Sequence, residues 1–155
     1  MIKPMLAHKF DKSRIDFNKP VYIQPKLDGV RCVFTKDGAF SRTGKQFMNV
    51  RHIEMALQSF FDTSPHGILD GELYNHKLKN DFEKIISLVR KQKPTEDDRR
   101  DAQHLVQFHV YDYVDGNYDE YTTRMHALAV ADIYDAQVKY VPSKLVDSYN
   151  YARDL

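Results

Sequence analysis

The chain switches repeatedly between two hydrophobic periods, and its first period-two segments are joined by turns too short to hold a crossover helix. Val21 and Ile23 alternate ahead of Pro25, and Val30, Cys32 and Phe34 alternate after Asp28-Gly29, a dipeptide that favours positive φ in tight turns. These residues predict two strands around a tight turn, with Arg31 facing away from the side that Val30, Cys32 and Phe34 bury. A third short strand around 39–42 follows Lys36-Asp37-Gly38 and ends in Thr43-Gly44. Strands joined this closely form an antiparallel meander, because a parallel pair needs a crossover of roughly a dozen residues or more.

The period then becomes helical. Ile53, Ala56, Leu57, Phe60 and Phe61 predict a helix over 51–61 with Asn49 available as its cap. Residues 67–74 return to a strand, with Leu69, Gly71 and Leu73 on one face and Ile68, Asp70, Glu72 and Tyr74 on the other. Asn80, with Glu83 three positions on, predicts the start of a helix that places Phe82, Ile85, Ile86 and Val89 on one stripe. Residues 91–104 hold eight charged side chains and, as an apolar residue, only Ala102, which predicts an exposed connection. A strand over 105–114 places Val106, Phe108 and Val110 on one face and Gln107, His109, Tyr111 and Tyr113 on the other. A helix over 122–134, a short strand over 138–141 and the start of a further helix from 143 complete the reading. Strands and helices interspersed without βαβ order predict an α+β fold, a mainly antiparallel sheet with flanking helices.

At 155 residues, with 42% hydrophobic and 29% charged side chains, this is the size and composition of one soluble domain. Cys32 is the only cysteine, which excludes a disulfide framework and fits a reducing compartment. The longest apolar run, 127–131, is far short of the roughly 20 residues that span a bilayer. The opening Met1-Ile2-Lys3-Pro4-Met5-Leu6 meets charge too early for a secretory signal. The expectation is a cytoplasmic protein with no membrane partner. The formal net charge of +1 hides an asymmetry: residues 1–53 hold 11 Lys and Arg against 4 Asp and Glu, whereas the remainder hold 12 against 18. A basic front half suits a polyanion, and it is equally the pattern of an ordinary solvated surface.

Among candidate chemical groups Lys26 comes first, beside a turn and flanked by Pro25, Asp28 and Arg31. A lysine amine is nucleophilic only when neutral, about 1 in 2,500 molecules at pH 7 for a reference pKa of ~10.4, and a nearby cation or metal raises that fraction. Without such help Lys26 is a surface lysine. Asp70 and Glu72, at i and i+2 on a strand, can reach one ligand, either a divalent metal or a ribose hydroxyl, or they can simply line an exposed face. Tyr111 can stack on a base or pack across strands, and Arg42, ahead of Gly44 and Lys45, offers a phosphate fork. The seven histidines show no HxxxH spacing, and Cys32 lies in an apolar alternation that marks it as core.

In order, Lys26-Leu27-Asp28-Gly29-Val30-Arg31, Ser41-Arg42-Thr43-Gly44-Lys45, Leu69-Asp70-Gly71-Glu72-Leu73 and Phe108-His109-Val110-Tyr111-Asp112-Tyr113 resemble four elements of the covalent nucleotidyltransferases. The likeness is closest to the ATP-dependent DNA ligases of phage type, whose motif I (KxDGxR), S-R-x-G element, motif III (DGE) and motif IIIa these segments match. Lys3-Pro4-Met5-Leu6-Ala7 is similar to the entry segment of these ligases, and the resemblance runs from residue 3 to about 141.

The resemblance implies an ATP-grasp-like nucleotidyltransferase domain that uses ATP, holds AMP and requires Mg²⁺. It implies that Lys26 attacks the α-phosphorus of ATP, releases pyrophosphate and carries AMP to a 5′-phosphate of nicked double-stranded DNA, as in replication and repair. Arg31 and Arg42 would contact AMP or the nick phosphate, and Gln24 would read the adenine amino group. Leu27 would lie against the cofactor, Glu72 would bind ribose or, with Asp70, the metal, and Tyr111 would stack on adenine. Motif IV, the lysines of motif V and the oligonucleotide-binding domain are not matched. Residues 1–155 are therefore expected to be an incomplete, N-terminal portion of an adenylation domain, weakly active alone, that works with the C-terminal part of the same enzyme. An RNA ligase or GTP-using capping enzyme is the alternative within the superfamily, and a non-catalytic nucleotide- or DNA-binding remnant is the alternative outside it.

Overall fold

The structure, a computed structural model, describes residues 21–24, 26–114, 124, 126–128, 131, 133–142 and 144–146. The predicted entry segment 3–7 lies outside them. The elements in chain order are β1 (Val21–Ile23), β2 (Val30–Thr35), β3 (Gly38–Phe40), β4 (Gln46–Phe47), α1 (Arg51–Ala56), α2 (Gln58–Thr63), β5 (Ile68–Tyr74), a 3-10 turn (His76–Leu78), α3 (Phe82–Val89), α4 (Glu96–Leu105), β6 (Gln107–Val114), β7 (Val138–Tyr140) and β8 (Lys144–Val146).

Six strands form one sheet in the order β4-β3-β2-β5-β6-β7, antiparallel throughout except for the parallel β6–β7 pair. This is the α+β, mainly antiparallel architecture expected from the alternating periods. Alternation sends Cys32 and Phe34 of β2, Leu69 and Leu73 of β5 and Phe108 and Val110 of β6 into one core with Ile53, Leu57, Phe61, Ile85, Leu88, Val89 and Ala102 of the helices. The helices therefore cover one face of the sheet. Arg31, Asp70 and Glu72 are left on the other. Gly71 lies at the centre of the buried face, where a Cβ would collide with the His109 carbonyl oxygen and lie 2.7 Å from the Phe108 ring. Only glycine lets that ring close over β5 and tilt against Phe34 at a centroid distance of 4.6 Å.

Several elements differ from the expectation. The hairpin over Val21–Phe34 does not form, because β1 pairs with β8 in a separate two-stranded sheet. Positive φ falls at Gly38 and Gly44 and not at Gly29. Gly29 is required for a different reason, since a Cβ there would strike the Leu73 carbonyl oxygen of β5. The helix predicted from 143 is instead β8 over its described residues, drawn into extended form by a partner more than a hundred residues away. The helix predicted over 51–61 is broken into α1 and α2 at Leu57. In the helix predicted over 122–134, Arg124 and residues 126–128 are helical but 131, 133 and 134 are not.

Residues 91–104 are not a connection, because α4 occupies most of them. Thr95 caps it: its hydroxyl accepts from the Asp98 backbone N–H at 3.1 Å while the Asp98 carboxylate accepts from the Thr95 N–H at 2.9 Å. Asn49 does not cap α1, nor does Asn80 cap α3, whose N-cap is Asp81. The buried Asn49 amide instead donates to the carbonyls of Leu88 and Asp98, both at 3.1 Å, tying α3 to α4. Asn49→Ala is expected to destabilise the fold by about 1.5 kcal/mol, since two carbonyls lose a donor in a dry site. The midpoint of urea unfolding measures it. No described helix is long and apolar enough to cross a membrane.

Candidate active site

The site face is shaped by one irregularity in β6. Asp70 pairs with Asp112 and Gly71 with Val110, so Tyr111 is an extra residue opposite β5. A bulge of this kind turns the following side chains over. Tyr111 and Asp112 are consequently both half-exposed on the site side, and Tyr113, predicted to share the face of Tyr111, is buried in the core against Phe60.

Arg31, Asp70, Glu72 and Tyr111 come together at this point. The Arg31 guanidinium forks onto Asp70, with Nε donating to Oδ1 at 2.8 Å and Nη2 to Oδ2 at 2.6 Å. Its carbon lies 5.0 Å from the centre of the Tyr111 ring, within cation–π range. The Tyr111 hydroxyl donates to Glu72 Oε1 at 3.3 Å. Burial raises the Asp70 carboxyl above its ordinary range in spite of Arg31. Both of its oxygens accept from the fork, so of the two acids predicted as metal ligands only Glu72 has an oxygen with no hydrogen-bond partner among the described residues.

Glu72 Oε2 is buried and has no hydrogen-bond partner among the described residues. Burial pushes this carboxyl up to about 7, outweighing the nearby Arg31 and the Tyr111 hydrogen bond. A carboxylate oxygen without a donor in a dry place fits a ligand hydroxyl or a hard cation.

Gln24 fixes the other border. Its amide nitrogen donates to the Tyr111 carbonyl at 3.0 Å and the Val141 carbonyl at 3.3 Å. Two acceptors on one side settle the amide orientation, which leaves Oε1 as an acceptor for a ligand. The chain is thus held at Gln24 against β6 and at Gly29 against β5, where a Cβ would lie 3.1 Å from Glu72 Oε2. Lys26 sits between these anchors and is exposed, with the half-buried Leu27 beside it. Arg42 lies in the tight Ser41–Lys45 loop, closed by Ser41 N–H to the Lys45 carbonyl at 2.7 Å and by Gly44 at φ 93°. Among the described residues no hydrogen bond or ion pair joins Arg42 to the Glu72 cluster.

Two members of this face escape a reading of residue spacing. Asp112 stands opposite Asp70, an arrangement of like charges that is unfavourable alone. Arg124 offsets it, with Nε donating to Asp112 Oδ1 at 3.0 Å. Cys32, expected in the core, is fully buried with its thiol pushed well up by that burial. Two open grooves, of about 520 and 570 Å³, flank α1 on the helical side, and neither contains a candidate residue.

Residues 4–151 match the family described as ATP dependent DNA ligase domain. No curated protein matches the sequence. Among solved structures, one from work on DNA binding with a minimal scaffold by Lig E DNA ligases superposes with a TM-score of 0.71 at 20% identity, over 99% of this chain and 56% of that one. The ATP-dependent DNA ligase of bacteriophage T7, in complex with ATP, superposes with a TM-score of 0.56 at 12% identity, over 87% of this chain and 52% of that one. The chain therefore spans about half the length of these relatives, and at such identities the likeness shows a shared fold.

Proposed function

Since the chain belongs to the ATP-dependent DNA ligase domain family, we propose that it is the adenylate-forming part of a DNA ligase, with Lys26 as the nucleophile. The observation that carries this reading is the placement of the exposed Lys26 on the short segment between two anchors, Gln24 held on β6 and Gly29 held on β5, where a Cβ at Gly29 would lie 3.1 Å from a buried Glu72 oxygen that has no hydrogen-bond partner among the described residues.

In the proposed reaction the Lys26 Nζ bonds to the α-phosphorus of ATP as the bond to the pyrophosphate oxygen breaks, and the amine loses its protons to solvent. The lysyl-AMP then passes AMP to the 5′-phosphate of nicked duplex DNA, and the adjacent 3′-hydroxyl displaces AMP to close the strand. Gln24 Oε1 accepts from the exocyclic amino group of adenine. Guanine presents an acceptor at that position, which favours ATP over GTP. Tyr111 supplies the aromatic face for the base, with Leu27 beside Lys26 completing the cleft. Glu72 Oε2 takes a ribose hydroxyl or holds Mg²⁺. Mg²⁺ supplies neutralisation of phosphate charge, and one carboxylate with phosphates and water is an ordinary set for it. Arg31 and Arg42 contact AMP or the nick phosphate, where a planar guanidinium suits an oxyanion. In this reading the chain is the front portion of an adenylation domain and acts with a C-terminal part that brings further cations to the phosphates.

Incubation with α-labelled ATP and Mg²⁺ tests the reading. The expected result is an acid-labile, alkali-stable protein adduct that releases AMP, and no adduct with labelled GTP. A protein that retains no label and binds no ATP by calorimetry overturns it. Asp70→Asn is expected to weaken AMP binding about tenfold through loss of the charged fork on Arg31, with the Mg²⁺ dependence of adduct formation unchanged. A shifted Mg²⁺ titration would instead make Asp70 a metal ligand.

A further inference from the structure

The register that joins Arg31 to Glu72 continues across two more strands. Glu72 of β5 pairs with His109 of β6, and His109 with Lys139 of β7, so Arg31, Glu72, His109 and Lys139 form one row across the sheet. At a strand spacing of about 4.8 Å the row is about 14 Å long. Its near end is electrically matched, with Arg31 on Asp70 beside Glu72. Its far end is not, since Lys139 has no acidic partner among the described residues.

A second nitrogen joins Lys139 there. The Tyr74 hydroxyl lies 3.0 Å from His76 Nδ1, in a hydrogen bond that either atom can donate, and in the tautomer whose Nδ1 accepts from Tyr74 the Nε2 of this exposed ring is an N–H donor. Tyr74 is 7% exposed and holds both imidazoles: its ring meets His109 edge-on at 5.1 Å and tilts against His76 at 6.2 Å. His109 is fixed further by its Nε2 contact with Gln107 Oε1 at 2.9 Å. Burial first, and then the neighbouring Lys139 and His76, lower the His109 imidazole to about 4.

We propose that His76 and Lys139, spaced by His109 and framed by Tyr74, form a phosphate subsite at the β7 end of this row, two strands beyond Glu72. The subsite rests on the ligase reading, and its ligand is a phosphate oxyanion, supplied either by the DNA backbone near the nick or by the tail of ATP. The geometry suits this use because both donors are on the face that carries Glu72 and Tyr111, and neither has an acidic partner among the described residues.

The test uses Lys139→Met and Lys139→Arg in the full chain, with His76→Ala as a second lesion and thermal unfolding to confirm that each is folded. If the DNA backbone is the source, Lys139→Met weakens binding to a nicked duplex several-fold and lowers the slope of log Kd against log salt by about 0.9, the value for one phosphate contact. Lys139→Arg restores the slope, and the ATP dependence of adduct formation is unchanged. If ATP is the source, the KM for ATP in adduct formation rises several-fold and the DNA salt slope does not move. Variants that match the wild type in both measurements overturn the subsite while the adduct itself upholds the ligase reading. A wild-type protein that takes no label and binds no nicked duplex overturns both.

Discussion

Lys26→Ala protein incubated with α-labelled ATP and Mg²⁺ is expected to retain no label, a loss of at least about 10³-fold relative to the wild type. The effect is this large because in the proposed reaction the amine is the atom that bonds to phosphorus, and alanine supplies nothing in its place. Lys26→Arg is expected to be equally inert. Arginine keeps the positive charge but its guanidinium is not deprotonated at any accessible pH, so it holds phosphate and does not attack it. The pair separates nucleophile from electrostatic support. Lys26 is exposed, so neither change disturbs the core, and the anchors at Gln24 and Gly29 stay in place. AMP binding measured by calorimetry is therefore expected to fall by only a few-fold. Label retained by either variant would falsify the assignment of Lys26.

How much of this was legible in the sequence depends on the range of the interaction involved. β5 was readable in full, because its alternation is uninterrupted and its two faces meet different surroundings: Leu69, Gly71 and Leu73 enter the core while Asp70 and Glu72 stay outside. β6 was readable only to Val110. Past that residue the bulge at Tyr111 reverses the alternation, and Tyr113 lies on the opposite side from the one its spacing indicates. Nothing in the local sequence marks such an insertion, since it exists only relative to the register of β5. The β1–β8 pair shows the same limit. Val21–Ile23 reads as the first arm of a hairpin until its partner is seen to be Lys144–Val146.

α4 escaped for another reason. Six of its ten residues are charged, yet a helix needs only a narrow contact stripe and a cap. Ala102 and the Thr95–Asp98 reciprocal bonds provide these. Residue types and motif order single out Arg31, Glu72 and Tyr111, which the structure brings together, but they do not pair them. The fork of Arg31 onto Asp70 joins residues 39 positions apart. It gives Asp70 a partner, Arg31, that its spacing from Glu72 does not indicate.

Glu72→Gln is expected to stabilise the ligand-free protein while removing most of its adenylation. In the folded protein this carboxyl is raised from an ordinary 4.5 to about 7, chiefly by burial. Between those two values the folded state holds a proton that the unfolded chain releases, so the stability present below pH 4.5 is lost as the pH rises to about 7. Glutamine occupies the same shape without a charge to desolvate. The variant and the wild type should therefore unfold at similar temperatures near pH 4.5, and the variant should gain about 2 kcal/mol, roughly 5 °C in Tm, by pH 8. Adduct formation with labelled ATP should fall about 100-fold over the same range, because the amide is a weaker acceptor for a ribose hydroxyl and a poor ligand for a hard cation. A Tm difference that does not grow between pH 4.5 and 8 would mean that Glu72 is not buried as a charge. A stabilised variant with undiminished adduct would mean that its open oxygen has no part in the chemistry. Opposite movements of Tm and rate in one substitution are the mark of a group kept at a cost to the fold because the ligand, when bound, supplies the donor that the protein withholds.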